Sequence, residues 1–215
     1  VGAHCVDPGG YVAALAAQAV QRGAVLAATS ATGFVIENGR LRGVLTDAGR
    51  IDCDRAVIAA GIRSKALARL AGDIVPLESE RGYHVMIAAP TGAPQTPVMP
   101  GDGKMGNTTM RAGLRAAGQV ELASIEAPPD WRRADILLRH ALSAYPGLGT
   151  PEESRIARWM GHRPSTPDGL PVIAPAAAMP DIVHAFGHGH IGLVAGPMTG
   201  RLAADLAGGK TPGLD

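Results

Sequence analysis

Apolar residues set the first expectations. Val12, Leu15, Ala16 and Ala19 recur at helical spacing behind Asp7-Pro8-Gly9-Gly10. That pattern predicts a helix with Asp7 as N-cap, Pro8 in the first turn, where its missing N–H costs nothing, and Gly23 as a left-handed stop. Residues 24–28 read as a short strand. Two apolar runs flank Glu37-Asn38-Gly39-Arg40, and Asn-Gly between such runs predicts a two-residue hairpin. The second run, 41–46, turns again at Asp47-Ala48-Gly49 into 50–53, giving an antiparallel meander. Residues 55–61 form a continuous apolar run stopped by Gly61, which predicts a strand buried on both faces. Ser64 is expected to cap a short helix ending near Gly72.

The character changes near Val75. Residues 81–89 read as a long strand and the Pro- and Gly-rich 90–104 as a loop, followed by strands near 107–110 and 119–125. Pro128-Pro129-Asp130 starts a helix to about Ala144 with Ile136, Leu137 and His140 on one face, and 154–160 is a further strand. Near the C-terminus the pattern returns to strand, glycine turn and helix: strands over 171–174 and 181–186, then Gly187-His188-Gly189-His190-Ile191-Gly192 leading into a helix of about 15 residues that ends at Gly208-Gly209. The order predicts a mixed α/β and α+β fold, with an antiparallel unit set into the middle of the chain.

Composition narrows the function classes. A hydrophobic fraction of 46% against 18% charged residues argues for a folded core. At 3% aromatic that core is aliphatic. A net charge of +1 gives no field for nucleic acid, which is excluded as a partner. The only lysines are Lys65, Lys104 and Lys210, so cationic contacts rest on arginine, whose planar fork suits carboxylates. Cys5 and Cys53 lack metal or redox spacing and are expected to be reduced thiols. No run approaches the roughly 20 apolar residues of a membrane span, and no signal peptide is visible. The chain starts without Met, as expected of a piece of something longer.

Four stretches carry candidate chemistry. The turn Phe186-Gly187-His188-Gly189-His190-Ile191-Gly192-Leu193 joins a strand to a helix, and its glycines allow close backbone approach to a ligand. A helix start also offers unpaired N–H groups and partial positive charge, which suits a phosphate or an anionic ring edge. A tight turn with no ligand is the alternative. His188 and His190 have no third ligand close by in sequence, so no metal is expected. Pro164 holds Arg163 extended at a strand end, where its guanidinium could fork a carboxylate; a surface arginine beside a turn is the plainer reading. Ala59-Ala60-Gly61 ends a strand, the place where open α/β sheets bind ligands, or where a helix packs closely. Tyr83 and His84 point to opposite faces of one strand.

In order along the chain these segments resemble the D-amino acid oxidase superfamily, most closely its D-amino acid dehydrogenase and glycine oxidase branch. The matching pieces are Asp7-Pro8-Gly9-Gly10-Tyr11-Val12, Ala56-Val57-Ile58-Ala59-Ala60-Gly61-Ile62-Arg63-Ser64, and Val75-Pro76-Leu77 with Arg81-Gly82-Tyr83. They continue with 113–121, Arg163-Pro164-Ser165-Thr166-Pro167-Asp168-Gly169-Leu170-Pro171, and Phe186 to Leu193. The resemblance implies an FAD-binding domain assembled from residues 1–75 and 166–215, with a substrate domain over 76–165 inserted between them. It places FAD against Gly187, His188, Gly189, His190, Ile191, Gly192 and Leu193, with Ala60 and Gly61 beside its ribose and diphosphate and Thr32 near adenine. It assigns Arg163 to the substrate carboxylate and makes Tyr83 and His84 pocket candidates.

The implied reaction moves a hydride from the α-carbon of a D-amino acid to flavin N5. The imino acid then hydrolyses to a keto acid and ammonia, with no strong protein base required. The partner is an amino acid substrate, with oxygen or a membrane quinone as acceptor. The location is cytoplasmic, with a peripheral position at the inner membrane as the alternative. The family's N-terminal strand, glycine loop and helix for the FAD diphosphate has no counterpart here. The chain alone is therefore expected to bind FAD poorly, to be inactive, and to cover an open sheet edge by self-association. Glycine, sarcosine or proline oxidation, or a non-catalytic anion- or partner-binding domain, are the competing readings.

Overall fold

The computed structural model describes residues 4–213. Residues 1–3 and 214–215, the outermost positions of the expected 1–75 and 166–215 segments, lie outside the described residues. The chain divides into two compact units: one comprises residues up to Val25 and Glu80–His162, the other Leu26–Ser79 and the chain from Arg163 onward.

The first unit opens with helix α1 (Pro8–Gln21). Asp7 caps it as expected, its carboxylate accepting from the Gly10 amide at 2.8 Å. Arg111 steadies this start, donating its amide to the Val6 carbonyl at 2.9 Å and its guanidinium to Asp7 at 3.0 Å. No residue of α1 is buried, so its apolar face has no cover among the described residues. The body of the unit is a sheet of β5 (Glu78–Ile87), β6 (Met105–Met110), β7 (Gly113–Leu122) and β8 (Ile156–Ser165), in the order β6-β7-β5-β8, with α3 (Arg132–Ala144). Tyr83, Val85, Met105 and Ala116 from the strands pack with Ala134, Leu137 and Ala141 of α3.

Three expectations change here. The strand placed at 119–125 is β7 and starts at Gly113, because a two-residue loop after Met110 pairs it with Gly113. A Cβ at Gly113 would collide with the Ile87 carbonyl oxygen, and the backbone φ there is 139°, so only glycine fits. The buried face of α3 is Ala134, Leu137 and Ala141 rather than Ile136, Leu137 and His140; His140 is exposed. The strand placed at 154–160 runs on to Ser165 and includes Arg163.

The second unit holds the meander β1 (Ala31–Glu37), β2 (Arg40–Thr46) and β3 (Gly49–Asp52). Asn38 and Gly39 take φ of 53° and 71°, the left-handed pair that the two-residue hairpin turn requires. A second sheet orders β4 (Ala56–Ile58), β10 (Ile182–Phe186) and β9 (Val172–Pro175) as β4-β10-β9, with β4 parallel to β10. Helices α2 (Ser64–Leu70) and α4 (Gly192–Ala207) complete the unit. Its core joins Leu41, Ile58, Ala68, Leu77, Ile182 and Phe186. Asp181 pins three elements together. Its buried carboxylate accepts from Arg40 at 2.7 Å, from the Leu41 amide at 3.1 Å, and from Arg55.

Corrections apply in this unit too. Residues 24–28 form no strand; Val25 is 89% exposed and no described strand offers it a ladder. The strand buried on both faces is β10, all five of whose residues are buried. β4 is the sheet edge, and Val57 is exposed. Ser64 caps nothing: a 3-10 turn over Gly61–Arg63 precedes α2, and the buried Ser64 hydroxyl has no partner among the described residues.

Candidate functional site

β4 and β10 are parallel neighbours, with Ile58 opposite His184. β4 ends at Ile58 and β10 at Phe186, and the 3-10 turn over Gly61–Arg63 follows β4 as the glycine turn follows β10. Both expected cofactor segments, Ala60-Gly61 and Gly187 to Leu193, therefore leave the carboxyl ends of adjacent parallel strands. Ligands of open α/β sheets bind in this position, since the strand ends and helix starts there leave backbone groups unpaired.

The glycines are used as their conformations require. Gly187 at φ 88° passes so close to Thr166 that a Cβ would lie 3.2 Å from its methyl carbon. Gly189 has φ 50°, and its amide donates to the Pro164 carbonyl at 3.0 Å. Pro164 follows Arg163, so the 163–166 segment is tied alongside the glycine turn. Gly61, at φ 57°, has open space where a Cβ would be. These features fit a planar, anionic group such as FAD: bare backbone on two adjacent turns, with room above one of them.

The start of α4 supplies the electrostatics. Its N-cap is Ile191, which offers no side-chain cap. The Val194 and Ala195 amides both use the Ile191 carbonyl. Among the described residues no acceptor lies on the Gly192 and Leu193 amides, so the positive end of the helix is open. His188 is part-buried, and burial lowers its pKa below the usual histidine value. Its Nε2 lies 2.7 Å from the Thr199 hydroxyl. Thr32 is exposed on β1, in the meander sheet.

Of the residues expected in a substrate pocket, Arg163 is part-buried in β8 beside the turn segment. Tyr83 is placed in the core under α3. Its hydroxyl donates to Glu121 at 2.6 Å and accepts from the Asp130 amide at 2.9 Å. Burial first, and then Glu121, push its pKa up. Arg81 beside it is fully buried and donates to the carbonyls of Ser124 at 2.8 Å and Pro128 at 3.1 Å, to that of Ala127, and to Glu121 at 3.3 Å. His84 takes the opposite face, stacked on Trp159 with ring centroids 4.9 Å apart. Burial, with a smaller push from Arg115, lowers its pKa to about 4. It is therefore uncharged at neutral pH. Trp159 lies across Gly161, where a Cβ would run into the indole ring.

Sequence reasoning missed Arg81, Asp181 and the His84–Trp159 stack. The available signals were a lone arginine of core parity in β5, an acid at a strand start, and a Trp two residues before a glycine.

The profile of the DAO family, described as FAD dependent oxidoreductase, matches residues 2–206. The chain belongs to this family of FAD-dependent oxidoreductases. Among its relatives is the D-amino-acid oxidase of Bradyrhizobium diazoefficiens, 53% identical over 212 residues that make up 97% of this chain and 50% of the relative. An uncharacterized oxidoreductase of Halorhodospira halophila is 33% identical over 95% of this chain and 94% of its own length. The crystal structure of glycine oxidase from Geobacillus kaustophilus superposes with a TM-score of 0.83 at 27% identity, covering 94% of this chain and 54% of that one. The mixed α/β fold is thus that of DAO-type flavoproteins, and the chain spans about half the length of the D-amino-acid oxidase it matches. Among the described residues no helix is long and apolar enough to cross a membrane.

Proposed function

We propose that this chain forms part of the flavin site and the carboxylate-binding arginine of an enzyme that oxidises the amino-bearing carbon of a D-amino acid to an imino acid, released as keto acid and ammonia. The observation that carries the reading is the uncapped start of α4, with the Gly192 and Leu193 amides open, directly behind the Gly187–Gly189 turn. FAD, when bound, supplies the two-electron acceptor. Its contacts in this reading are Ala60, Gly61 and residues 187–193, with Thr32 as an outlying adenine contact. The fixed dipole of α4 favours negative charge at its start, which is where an electron-rich ring edge gains most.

Arg163 grips the substrate carboxylate through two parallel N–H donations. His84, neutral at pH 7, stays a substrate-side candidate and brings no positive charge of its own. Tyr83 is left out of the site because Glu121 and Asp130 already occupy its hydroxyl. The relatives that support D-amino acids over other amines are the Bradyrhizobium D-amino-acid oxidase and several bacterial proteins named D-amino acid dehydrogenase.

The test is anaerobic titration of the flavin-loaded protein, supplied with the family's N-terminal FAD-diphosphate segment, with D- and L-amino acids, glycine, sarcosine and proline, following loss of flavin absorbance. D-amino acids should bleach it, and Arg163→Gln should raise KM roughly 10- to 100-fold, the worth of a charge-assisted hydrogen bond. Bleaching by glycine, sarcosine or proline but by no D-amino acid would replace this reading with the amine-oxidase alternative. Readmitting oxygen or a soluble quinone then identifies the acceptor.

A further inference from the structure

The first half of α4 is a poor helix by composition and by packing. Gly192, Gly196, Pro197 and Gly200 fall within its first nine residues. Each glycine costs about 1 kcal/mol against alanine in a helix interior, and proline about 3. Pro197 has no N–H to give, so the Leu193 carbonyl loses its helical partner. Packing does not compensate. The buried residues of α4 are Thr199, Leu202 and Ala203, while Leu193, Val194 and Met198 are exposed. Ala203 sits in a cluster with Val183 and Ala185 of β10, with Leu206 and Ala207 packed against it. The helix is thus anchored through its C-terminal half, and its first two turns extend from that anchor.

One side chain spans the gap. His188 reaches from the glycine turn past Pro197 to Thr199, the first buried residue of the helix, at 2.7 Å. The His188 side chain also sits under the helix start, its Cβ 3.4 Å and its ring Cγ 3.9 Å from where a Gly192 side chain would begin. The turn is also tied by backbone bonds, Gly189 to Pro164 and Ile191 to the His188 carbonyl.

We infer that His188 is a positioning residue: its hydrogen bond to Thr199 splints the weak start of α4 and fixes where the open Gly192 and Leu193 amides point. The inference rests on the flavin reading above. A freely bending helix start would spend its dipole on water, whereas a fixed one spends it on the charge that gathers on reduction. The effect should be larger for reduced than for oxidised flavin, and a residue that only held the fold together would not discriminate between them.

The experiment uses the flavin-loaded protein and the variants Thr199→Val, Thr199→Ser, His188→Ala and the His188→Ala/Thr199→Val double. Thr199→Val should raise the Kd for FAD about fivefold, the worth of one net hydrogen bond, and move the flavin midpoint potential to a more negative value. Thr199→Ser, which keeps the hydroxyl, should restore both. The double variant should be no worse than the worse single, because both remove the same bond. A fall in melting temperature with an unmoved potential, or losses that simply add, would overturn the inference. If Thr199→Val does not fold, His188→Ala against wild type carries the same comparison. A wild-type protein that takes up no FAD even when supplied with the family's N-terminal strand, glycine loop and helix sinks the flavin site itself, and the splint with it; FAD uptake with unaltered variants sinks the splint alone.

Discussion

Helices α3 and α4 solve the same problem in opposite ways. Each must begin at a defined place. α3 contains neither glycine nor proline and buries Ala134, Leu137 and Ala141 along its length. The loop before it is fixed from below by Arg81 and Tyr83, which take up the carbonyls of Ser124, Ala127 and Pro128 and the amide of Asp130. α4 starts with glycines and a proline, exposes its first apolar residues, and is tied to the glycine turn by a His–Thr bond. On the flavin reading proposed above, the difference separates residues that serve stability from residues that serve access. A helix start whose amides are to meet a ligand cannot be buried under side chains, so its support must come from the side.

The sharpest way to break this comparison is at Arg81. Replacing it with Met keeps apolar bulk but leaves three carbonyls without their donor and Glu121 without its buried guanidinium partner. Breaking a buried guanidinium with several bonded partners typically costs about 3–5 kcal/mol. Arg81→Met should lower stability by that order in a urea titration, and limited proteolysis should now cut between β7 and α3. A loss below about 1 kcal/mol, the worth of a single net hydrogen bond, would mean that the start of α3 is set by α3 itself, as α4 is not.

Arg81 also shows where sequence reading stops. The turns were legible because their chemistry is local: Asn38-Gly39 must be left-handed, Asp7 must cap, and Gly187 and Gly189 must bend the chain. The adjacency of the two candidate turns was partly legible, since each follows an apolar strand. Which strand is central was not, because burial on both faces depends on neighbours far along the chain; hence β10 is buried and β4 lies at an edge. Arg81 and Asp181 were silent for the same reason. Their partners lie 40 or more residues away in sequence, at Glu121, Ala127 and Arg40, and no local pattern marks a charge that will be enclosed. Tyr83 and His84 were read as opposite in facing, which the alternation of a strand dictates. Tyr83's commitment to the core needed Glu121 brought across from β7.

His84 offers a smaller effect of the same kind. Its pKa in the folded protein is about 4, against 6.5 for an unperturbed histidine, chiefly through burial. Between those values the unfolded chain holds the proton and the folded chain does not. Stability is therefore fully present above about pH 6.5 and falls as the pH drops toward 4. Water reaches the part-exposed ring, so the loss across that window should be about 1 kcal/mol rather than the full linkage value. His84→Phe keeps a ring against Trp159 and cannot titrate. Melting curves at about pH 7 and about pH 4.5, either side of most of that window, should lie closer together in that variant than in the wild type. An unchanged gap would assign the acid sensitivity elsewhere.

The mildest change tests α4 directly. Gly196 sits in a helical turn with nothing within 4 Å of the place an added methyl would take and no left-handed φ to forbid one. Alanine should therefore stabilise the protein by about 0.5–1 kcal/mol, since it loses less backbone freedom on folding than glycine and suits a helix better. No such gain is open in α3, which has no glycine to exchange. If the glycines of α4 are kept for access, Gly196→Ala should raise the melting temperature and weaken FAD uptake together. A stabilised variant that binds FAD as well as wild type would confine the access argument to Gly187, Gly189 and Gly192, whose backbone lies in the turn itself. A variant that gains no stability would show that the first half of α4 is held by more than His188, and the contrast between the two helices would lose its physical basis.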